Sequence, residues 1–508
     1  MRGDITFIKG TGASKRVAAG QDFISGLIFY TASLPSGFTT INNIKALYSI
    51  IDAENAGIGV TYSDETKATG VYTVTAVGAV GNTLNLTVNE PLGVAVNLGT
   101  YTKGAADTTV NLMATAIAAM INAGTSTHGY TASALVAAVT ITARPGLGIF
   151  LNTGSPLVAT LGSGSTIAGT ITAFTGGVAS KQGVWHYHIA EFFRANPSGQ
   201  LWVGFFPVPG TYTFSEITTL QTAAAGNIRQ VGIFKDSAAY AIGDLTAIDG
   251  IIKIYNDAKH KPLSALYAAD MKAISDITTV ADLSVLTANK VSSIIGQDGG
   301  ALGAALFLTT GKSVTHLGVA LGMLSASAVS EDFGEPAKFN ISNGTECDIP
   351  AFANGQLLSD PLLSDSALDA IDSKRHIFGL RYVGYAGTYF NDNHTAITMA
   401  SDYAYINDNR VIDKAIRGVY ASLIPYLKSK LLKNADGTLA NTTIAFLQGQ
   451  ALLTLHQMAR DQDLGTVSDS DVYIDPTQNV TSTSLLIVNI LLNENGIARN
   501  IQIPISFK

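Results

Sequence analysis

Gly311-Lys312-Ser313 has the ending of a phosphate-binding loop, in which backbone N–H groups and a lysine hold a nucleotide's phosphates. That loop needs a glycine five residues before its Gly-Lys pair, and the position is Leu306. Gly10-Thr11-Gly12 opens like a dinucleotide-binding turn, but the place of its third glycine holds Lys15. His186, His188 and Glu191 are residue types that bind zinc. On a strand the two histidines share a face and Glu191 points away; on a helix the histidines stand about 200° apart. Asp469, Asp471 and Asp475, expected in a loop, offer oxygens to a cation but match no full calcium-loop pattern. No G-x-S-x-G elbow is present. The single cysteine, Cys347, excludes a disulfide framework within the chain and a multi-cysteine metal site. No catalytic residue, cofactor or metal ligand is assigned.

One charge pattern remains. Arg410, Lys414, Arg417, Lys428, Lys430 and Lys433 oppose a lone Asp413 on a helix predicted over 409–433. Such a face is either solvated or a docking surface for an acidic partner. The helix is expected to start at an Asn407-Asp408-Asn409 cap. Val411, Ile412, Ala415, Ile416, Val419, Tyr420, Leu423, Ile424 and Leu427 form its apolar stripe, and Pro425 is expected to kink it. Beyond it, residues 485–492 read as a buried strand and Asn495-Gly496 as a hairpin turn. The returning strand alternates, with Ile501, Ile503, Ile505 and Phe507 on one face.

Earlier in the chain, helices predicted around 189–193, 217–225 and 245–258 precede strands at 201–206, 230–234 and 263–267. This order predicts parallel βαβ crossovers. Residues 41–178 are nearly chargeless, with strands predicted at 70–77, 84–88 and 139–143 and one helix bearing Met113, Ile117, Ala118 and Ile121. Residues 162–177 read as a closing linker. A strand is also expected at 4–9, with Ile5 and Phe7. The expected fold is α/β and multidomain: an N-terminal strand arm and start of the core (1–40), a β-rich inserted domain (41–178), a mostly parallel α/β core (179–345) and a C-terminal α+β domain (346–508).

The 508 residues are 47% apolar and only 14% charged, with a formal net charge of −7. The length implies about two to four domains. So few charges on so large a chain point to a surface covered by other subunits. The acidic balance argues against a nucleic-acid groove. The most apolar stretch, 299–329, is interrupted by Lys312 and His316, so no membrane span is expected.

The run Gly387-Thr388-Tyr389-Phe390-Asn391-Asp392-Asn393-His394-Thr395, then Ser401-Asp402-Tyr403, then Asn409-Arg410-Val411-Ile412-Asp413-Lys414-Ala415-Ile416-Arg417, resembles the C-terminal domain of contractile phage tail sheath proteins. In that family a Gly…Thr strand segment precedes an Arg-rich helix opening near Asn-x-Arg-x-Ile-Asp. An aliphatic hairpin and a final strand follow. Leu317-Gly318-Val319-Ala320-Leu321-Gly322 is similar to the family's mid-chain small-residue helix, and 41–178 loosely resembles its accessory domains.

The resemblance implies a structural subunit that polymerises helically around an inner tube and contracts without consuming a nucleotide, while terminal strands keep neighbours linked. It implies as partners further copies of the chain, an inner tail tube protein, and baseplate and tail terminator proteins. It implies neither direct nucleic-acid contact nor membrane insertion. The expected location is a virion tail or tail-like particle assembled in the host bacterial cytoplasm. Arg410, Lys414, Arg417, Lys428, Lys430 and Lys433 are then expected to face the tube, and Ile5, Phe7, Ile501, Ile503, Ile505 and Phe507 to link subunits. Two alternatives stay open: a cytoplasmic α/β enzyme with an appended β-rich domain, and another virion component such as a tube or baseplate protein.

Overall fold

Runs of β-branched and aromatic residues, several of them preceded by a helix, build the centre of the chain. In a computed structural model, which describes residues 22–60, 62–154, 156–460, 465–499 and 502–504, they form one seven-stranded sheet. Its order is His376–Ile377, Val291–Ile294, Ser264–Asp270, Gln230–Ala239, Ile24–Tyr30, Gln200–Phe206, Ile44–Leu47. Every neighbouring pair is parallel except the last, where Ile44–Leu47 runs antiparallel to Gln200–Phe206. Along Ile24–Tyr30 all seven residues are buried. Leu27 and Phe29 pack towards helices Gln182–Ala195 and Leu317–Ala326, while Ile28 and Tyr30 pack towards Glu216–Ala223 and Ile242–Lys259. A sheet covered on both faces needs continuous apolar strands, which these sequences supply.

The alternating order expected over 179–345 is present: Gln182–Ala195, Glu216–Ala223 and Ile242–Lys259 precede Gln200–Phe206, Gln230–Ala239 and Ser264–Asp270. The molecule is mixed α/β with several sheets. Two expected boundaries move. Ile44–Leu47 joins the main sheet and Ile50–Asn55 packs on Gln182–Ala195, so the β-rich region has its own core only from Ala68 onwards. Likewise His376–Ile377 closes the other edge of the main sheet, and Phe352 and Phe378 pack with Met271 and Ile295. The first half of the expected C-terminal unit therefore belongs to the centre.

The β-rich region holds a four-stranded and a three-stranded antiparallel sheet around helix Val110–Ala123. The expected linker 162–177 is instead mostly strand: Ile167–Thr175 pairs with Thr69–Val77. Its glycines and threonines look like linker residues, but Ile167 and Phe174 are buried and anchor it. The region returns beside its start, where Thr66 and Val178 exchange backbone hydrogen bonds of 3.1 and 2.8 Å.

After residue 404 a smaller cluster forms from helices Ile406–Leu423 and Asn441–Arg460 with strands Val467–Tyr473 and Asn489–Glu494. The predicted 409–433 helix starts three residues earlier and stops at Leu423. Pro425 lacks an N–H and continues the chain only as a 3₁₀ turn, Ile424–Tyr426. The hairpin expected at Asn495-Gly496 is not formed. Asn489–Glu494 pairs antiparallel with Val467–Tyr473, and no strand follows Glu494 among the described residues. Asp469 and Asp471, expected in a loop, lie on that partner strand. Among the described residues no helix is long and apolar enough to cross a membrane; the 299–329 stretch divides into Leu302–Thr310 and Leu317–Ala326, the latter buried from Leu317 to Ser325.

The close approach of Gln182–Ala195 and Leu317–Ala326 rests on two glycines. A Cβ at Gly318 would lie 2.3 Å from the His188 carbonyl oxygen, and one at Gly322 would lie 2.5 Å from that of Phe192. Helix propensity alone favours Gly→Ala by about 1 kcal/mol, but backbone cannot yield as a side-chain tip can. Gly318→Ala should therefore destabilise the chain by about 1–3 kcal/mol. Gly250→Ala, on an exposed helical site with nothing within 4 Å, should stabilise it slightly. Denaturant melts of the two variants check the opposite signs.

Candidate assembly surface

The helix Ile406–Leu423 is moored to the centre by a buried polar network. Asn409 donates to the carbonyls of Tyr403 and Tyr405, both at 2.9 Å, and accepts from Asn289 at 3.0 Å. Asn393 donates to Asn407 at 2.8 Å. The buried pair Lys290–Asp413 closes at 2.6 Å. Asn407, Asp408 and Asn409 thus stand inside the first turns and not at the cap, which is Tyr405.

This mooring divides the expected basic face. Arg410 is buried and donates to Ser327 Oγ at 2.9 Å and to the carbonyls of Ala328 and Ser327 at 3.1 and 3.2 Å. Burial pushes its guanidinium down to about 10. It cannot face a partner from there. Arg417 reaches Asp22 at 2.7 Å and Lys414 reaches the same carboxylate at 3.7 Å. Lys428, Lys430 and Lys433 are exposed but lie beyond the helix, on irregular chain after Pro425. The six cations are therefore not one helical face, because the helix turns its first half inward and ends before the last three. The apolar stripe is likewise narrower than expected: Val411, Ala415 and Val419 are buried, whereas Ile416, Tyr420, Ile424 and Leu427 are exposed.

Exposed apolar side chains recur across this C-terminal unit. On the two-stranded sheet Val472 faces inward and Ile490 and Leu492 pack partly against the same cluster, while Tyr473 and Leu491 point outward. Leu491 is 65% exposed. The sheet has only two strands, so each strand has one edge unpaired among the described residues. Ile503 is exposed and unpaired in any strand. Ile5, Phe7, Ile501, Ile505 and Phe507 lie outside the described residues.

Beside this sheet runs a groove of about 1490 Å³, walled by residues 326–338, 368–380 and 391–405 and by the segment 495–499. Here Arg499 Nε donates to Asp392 at 3.0 and 3.2 Å, and its guanidinium lies 3.3 Å from the Tyr405 ring centroid. Asp332 lies 3.7 Å from the same guanidinium. His394 Nε2 lies 2.9 Å from Asp372, and burial acts against that partner's ionisation while His394 holds it below the usual range. Burial, then the adjacent Asp392 carboxyl, push Asp332 up to about 8. Burial, then Glu494, push Asp408 up to about 7. Nothing in the sequence joins Asp332, Asp392, Tyr405 and Arg499, which are widely separated; the visible signal is a lone arginine in the apolar run Ile497-Ala498-Arg499-Asn500-Ile501.

The other residues weighed for chemistry are absorbed into structure. His186 lies 3.0 Å from Glu54, His188 is buried 4.4 Å from the Phe234 ring, and Glu191 holds Arg194. Burial, then His316, push His188 down to about 3, so it is neutral. Gly311 ends helix Leu302–Thr310, Lys312 pairs with Asp270 at 2.7 Å, and Ser313 Oγ donates to the Ala353 carbonyl at 2.5 Å. Cys347 is buried, and its backbone N–H donates to Asp298 at 3.0 Å.

A carboxyl raised by folding binds its proton more tightly in the folded chain than in the unfolded one, where its value is about 3.9. The Asp332 contribution to stability is thus fully present below about pH 4 and is lost as pH rises through about 8. The melting temperature should fall from about pH 4 to about pH 8 and level off above it. Asp332→Asn, which mimics the protonated carboxyl, should flatten that fall. An unchanged slope in calorimetric scans of the variant would remove Asp332 from the account.

No curated protein sequence matches the chain. Among solved structures, it is similar to the helical sheath of the anti-feeding prophage in its contracted state, with a TM-score of 0.42, 12% identity, and 63% of this chain and 81% of that one covered. It is also similar to the sheath tail protein of Listeria innocua, with a TM-score of 0.40, 11% identity, and 94% and 93% covered. For the sheath tail protein of Desulfitobacterium hafniense the TM-score is 0.37 and the identity 11%, with 97% and 100% covered. Residues 50–394 match the family model of the DUF2586 N-terminal domain, residues 402–508 match that of the DUF2586 C-terminal domain, and the chain belongs to the DUF2586 family.

Proposed function

We propose that this chain is the subunit of a contractile tail sheath, which polymerises helically around an inner tube and contracts to drive that tube through a target envelope. The observation that carries the reading is the two-stranded sheet of Val467–Tyr473 and Asn489–Glu494. Two strands alone are marginal in water, and an uncapped edge is a template for another chain. Here the edges are accompanied by outward Leu491 and Tyr473 and by exposed Leu485, Ile487 and Ile503. A strand from a second copy would satisfy the edge and cover these side chains by β-augmentation. The residues quoted for the sheath resemblance build the elements that carry this sheet.

In this reading the linking strands contain Ile5 and Phe7 at one end and Ile501, Ile503, Ile505 and Phe507 at the other. The tube-facing cations reduce to the exposed Lys428, Lys430 and Lys433, since Arg410 is internal and Lys414 and Arg417 lie against Asp22. Partners are further copies, an inner tube protein, and baseplate and terminator proteins at the ends. Assembly takes place in the host cytoplasm, and the chain carries out no catalytic step.

Burying an aliphatic side chain contributes about 1.5–3 kcal/mol, and 1.4 kcal/mol is a factor of ten. Leu491→Lys should leave the melt of the subunit unchanged, because the side chain is exposed, and raise the critical concentration for tubes at least tenfold. Sedimentation and negative-stain microscopy read both. Tubes formed at the wild-type concentration would defeat the edge-pairing role.

The β-rich region is proposed to be peripheral to the polymer. Its ends, Thr66 and Val178, already stand at hydrogen-bond distance, so a short Gly-Ser linker in place of 67–177 should close without strain. That chain should fold and form tubes. A soluble chain that forms none would make the region part of the lattice.

A further inference from the structure

We infer that Tyr405, Asp392 and Asp332 form a guanidinium-binding socket that takes an arginine presented by the C-terminal segment: the subunit's own Arg499 when free, and that of a second copy in the polymer. The inference deepens the assembly reading and rests on it for the second occupant.

Three observations converge on it. Arg499 is held in a geometry that an arginine fills and a lysine does not. Its Nε meets both oxygens of Asp392 at 3.2 and 3.0 Å, its plane lies over the Tyr405 ring at 3.3 Å, and a terminal nitrogen lies 3.5 Å from Asn393 and 3.7 Å from Asp332. The socket is also built independently of its occupant. Asp392 donates nothing but receives the Asn393 N–H at 2.7 Å, Asp332 receives the Gly334 N–H at 2.7 Å, and Tyr405 caps helix Ile406–Leu423 with the buried Arg375 4.7 Å from its ring. The occupant, by contrast, is lightly tied. Among the described residues, 495–499 pair with no strand, and the other side-chain hydrogen bond of that stretch is Asn495 to the Gly465 carbonyl at 2.8 Å.

The socket opens into the larger groove, so a guanidinium can enter it from solvent. A tethered arginine acts at a high effective concentration, which favours the subunit's own residue in dilute solution. In a polymer, a neighbour's segment placed alongside gains the same advantage. Exchange between the two keeps the ion pair and the ring contact, so the segment can change subunits with little net loss of contacts.

Both parts can be read on unassembled full-length subunits, so they stand or fall separately from tube formation. Thermolysin cuts before isoleucine, and Ile497 sits in the held segment. Arg499→Ala should speed cleavage there at least fivefold with an unchanged melt of the rest of the chain, and Arg499→Lys should fall between. An unchanged rate would overturn the socket. For the second occupant, a labelled peptide of residues 494–503 is added to Arg499→Ala subunits, whose socket is empty. It should bind at least tenfold more tightly than the same peptide with alanine at the arginine position, and at least tenfold more tightly than to wild-type subunits. Adding Asp392→Asn to the Arg499→Ala chain should abolish the difference. Equal binding of the two peptides would overturn docking of a second copy's arginine.

Discussion

The rest of the structure depends on burying a parallel sheet on both faces. Parallel strands cannot be joined by tight turns, so each crossover must travel over a face and cover it. Phe29 shows the consequence on one side, with Trp185, Phe205 and Phe234 rings within 6.2 Å of it. On the other side Ile28 and Tyr30 meet Ile217, Leu220 and Ile248. One layer has to come unusually close: Leu317–Ala326 lies on Gln182–Ala195 with glycine against backbone. Polar groups caught in these layers are either neutral, as His188 and His316 are, or paired, as Lys235 and Asp244 are at 2.5 Å.

A rigid centre of this kind gives the C-terminal unit something to be moored to. The mooring is polar. Lys290–Asp413, Asn393–Asn407 and Arg410 with Ser327 are directional contacts that fix orientation. Removing one partner would leave the other buried and unsatisfied, which is more damaging than the net gain of the bond suggests. In the proposed sheath, that orientation sets the angle at which copies of the chain meet.

Beyond the mooring the chain becomes progressively less satisfied by itself. The helices Ile406–Leu423 and Asn441–Arg460 share a core, the two-stranded sheet covers part of it, and the final described residues have no sheet partner. Exposed Leu485, Ile487, Leu491 and Ile503 belong to this outer part. A low charge content has its explanation here if these surfaces are covered in an assembly. The carboxyl pairs Asp332–Asp392 and Asp408–Glu494 lie where the centre meets this outer part, so its attachment is sensitive to protonation in a way the apolar centre is not.

What the sequence alone determined was local and periodic. The alternation of helix and strand from Gln182 to Asp270 was legible because each element declares itself within ten to twenty residues, by a repeat of 3.6 or by a continuous apolar run. The helix face of Met113, Ile117 and Ile121 was legible for the same reason. Tertiary structure decided everything that depends on a distant partner. Ile167–Thr175 reads as linker until Thr69–Val77 pairs with it, and Asn495-Gly496 reads as a hairpin until Val467–Tyr473 takes the strand before it. Arg410 reads as a surface charge until Ser327 and Ala328 surround it. The socket was invisible because its three residues and the arginine that fills it lie on separate segments whose meeting is set by packing and hydrogen bonding, and neither leaves a repeat in the chain.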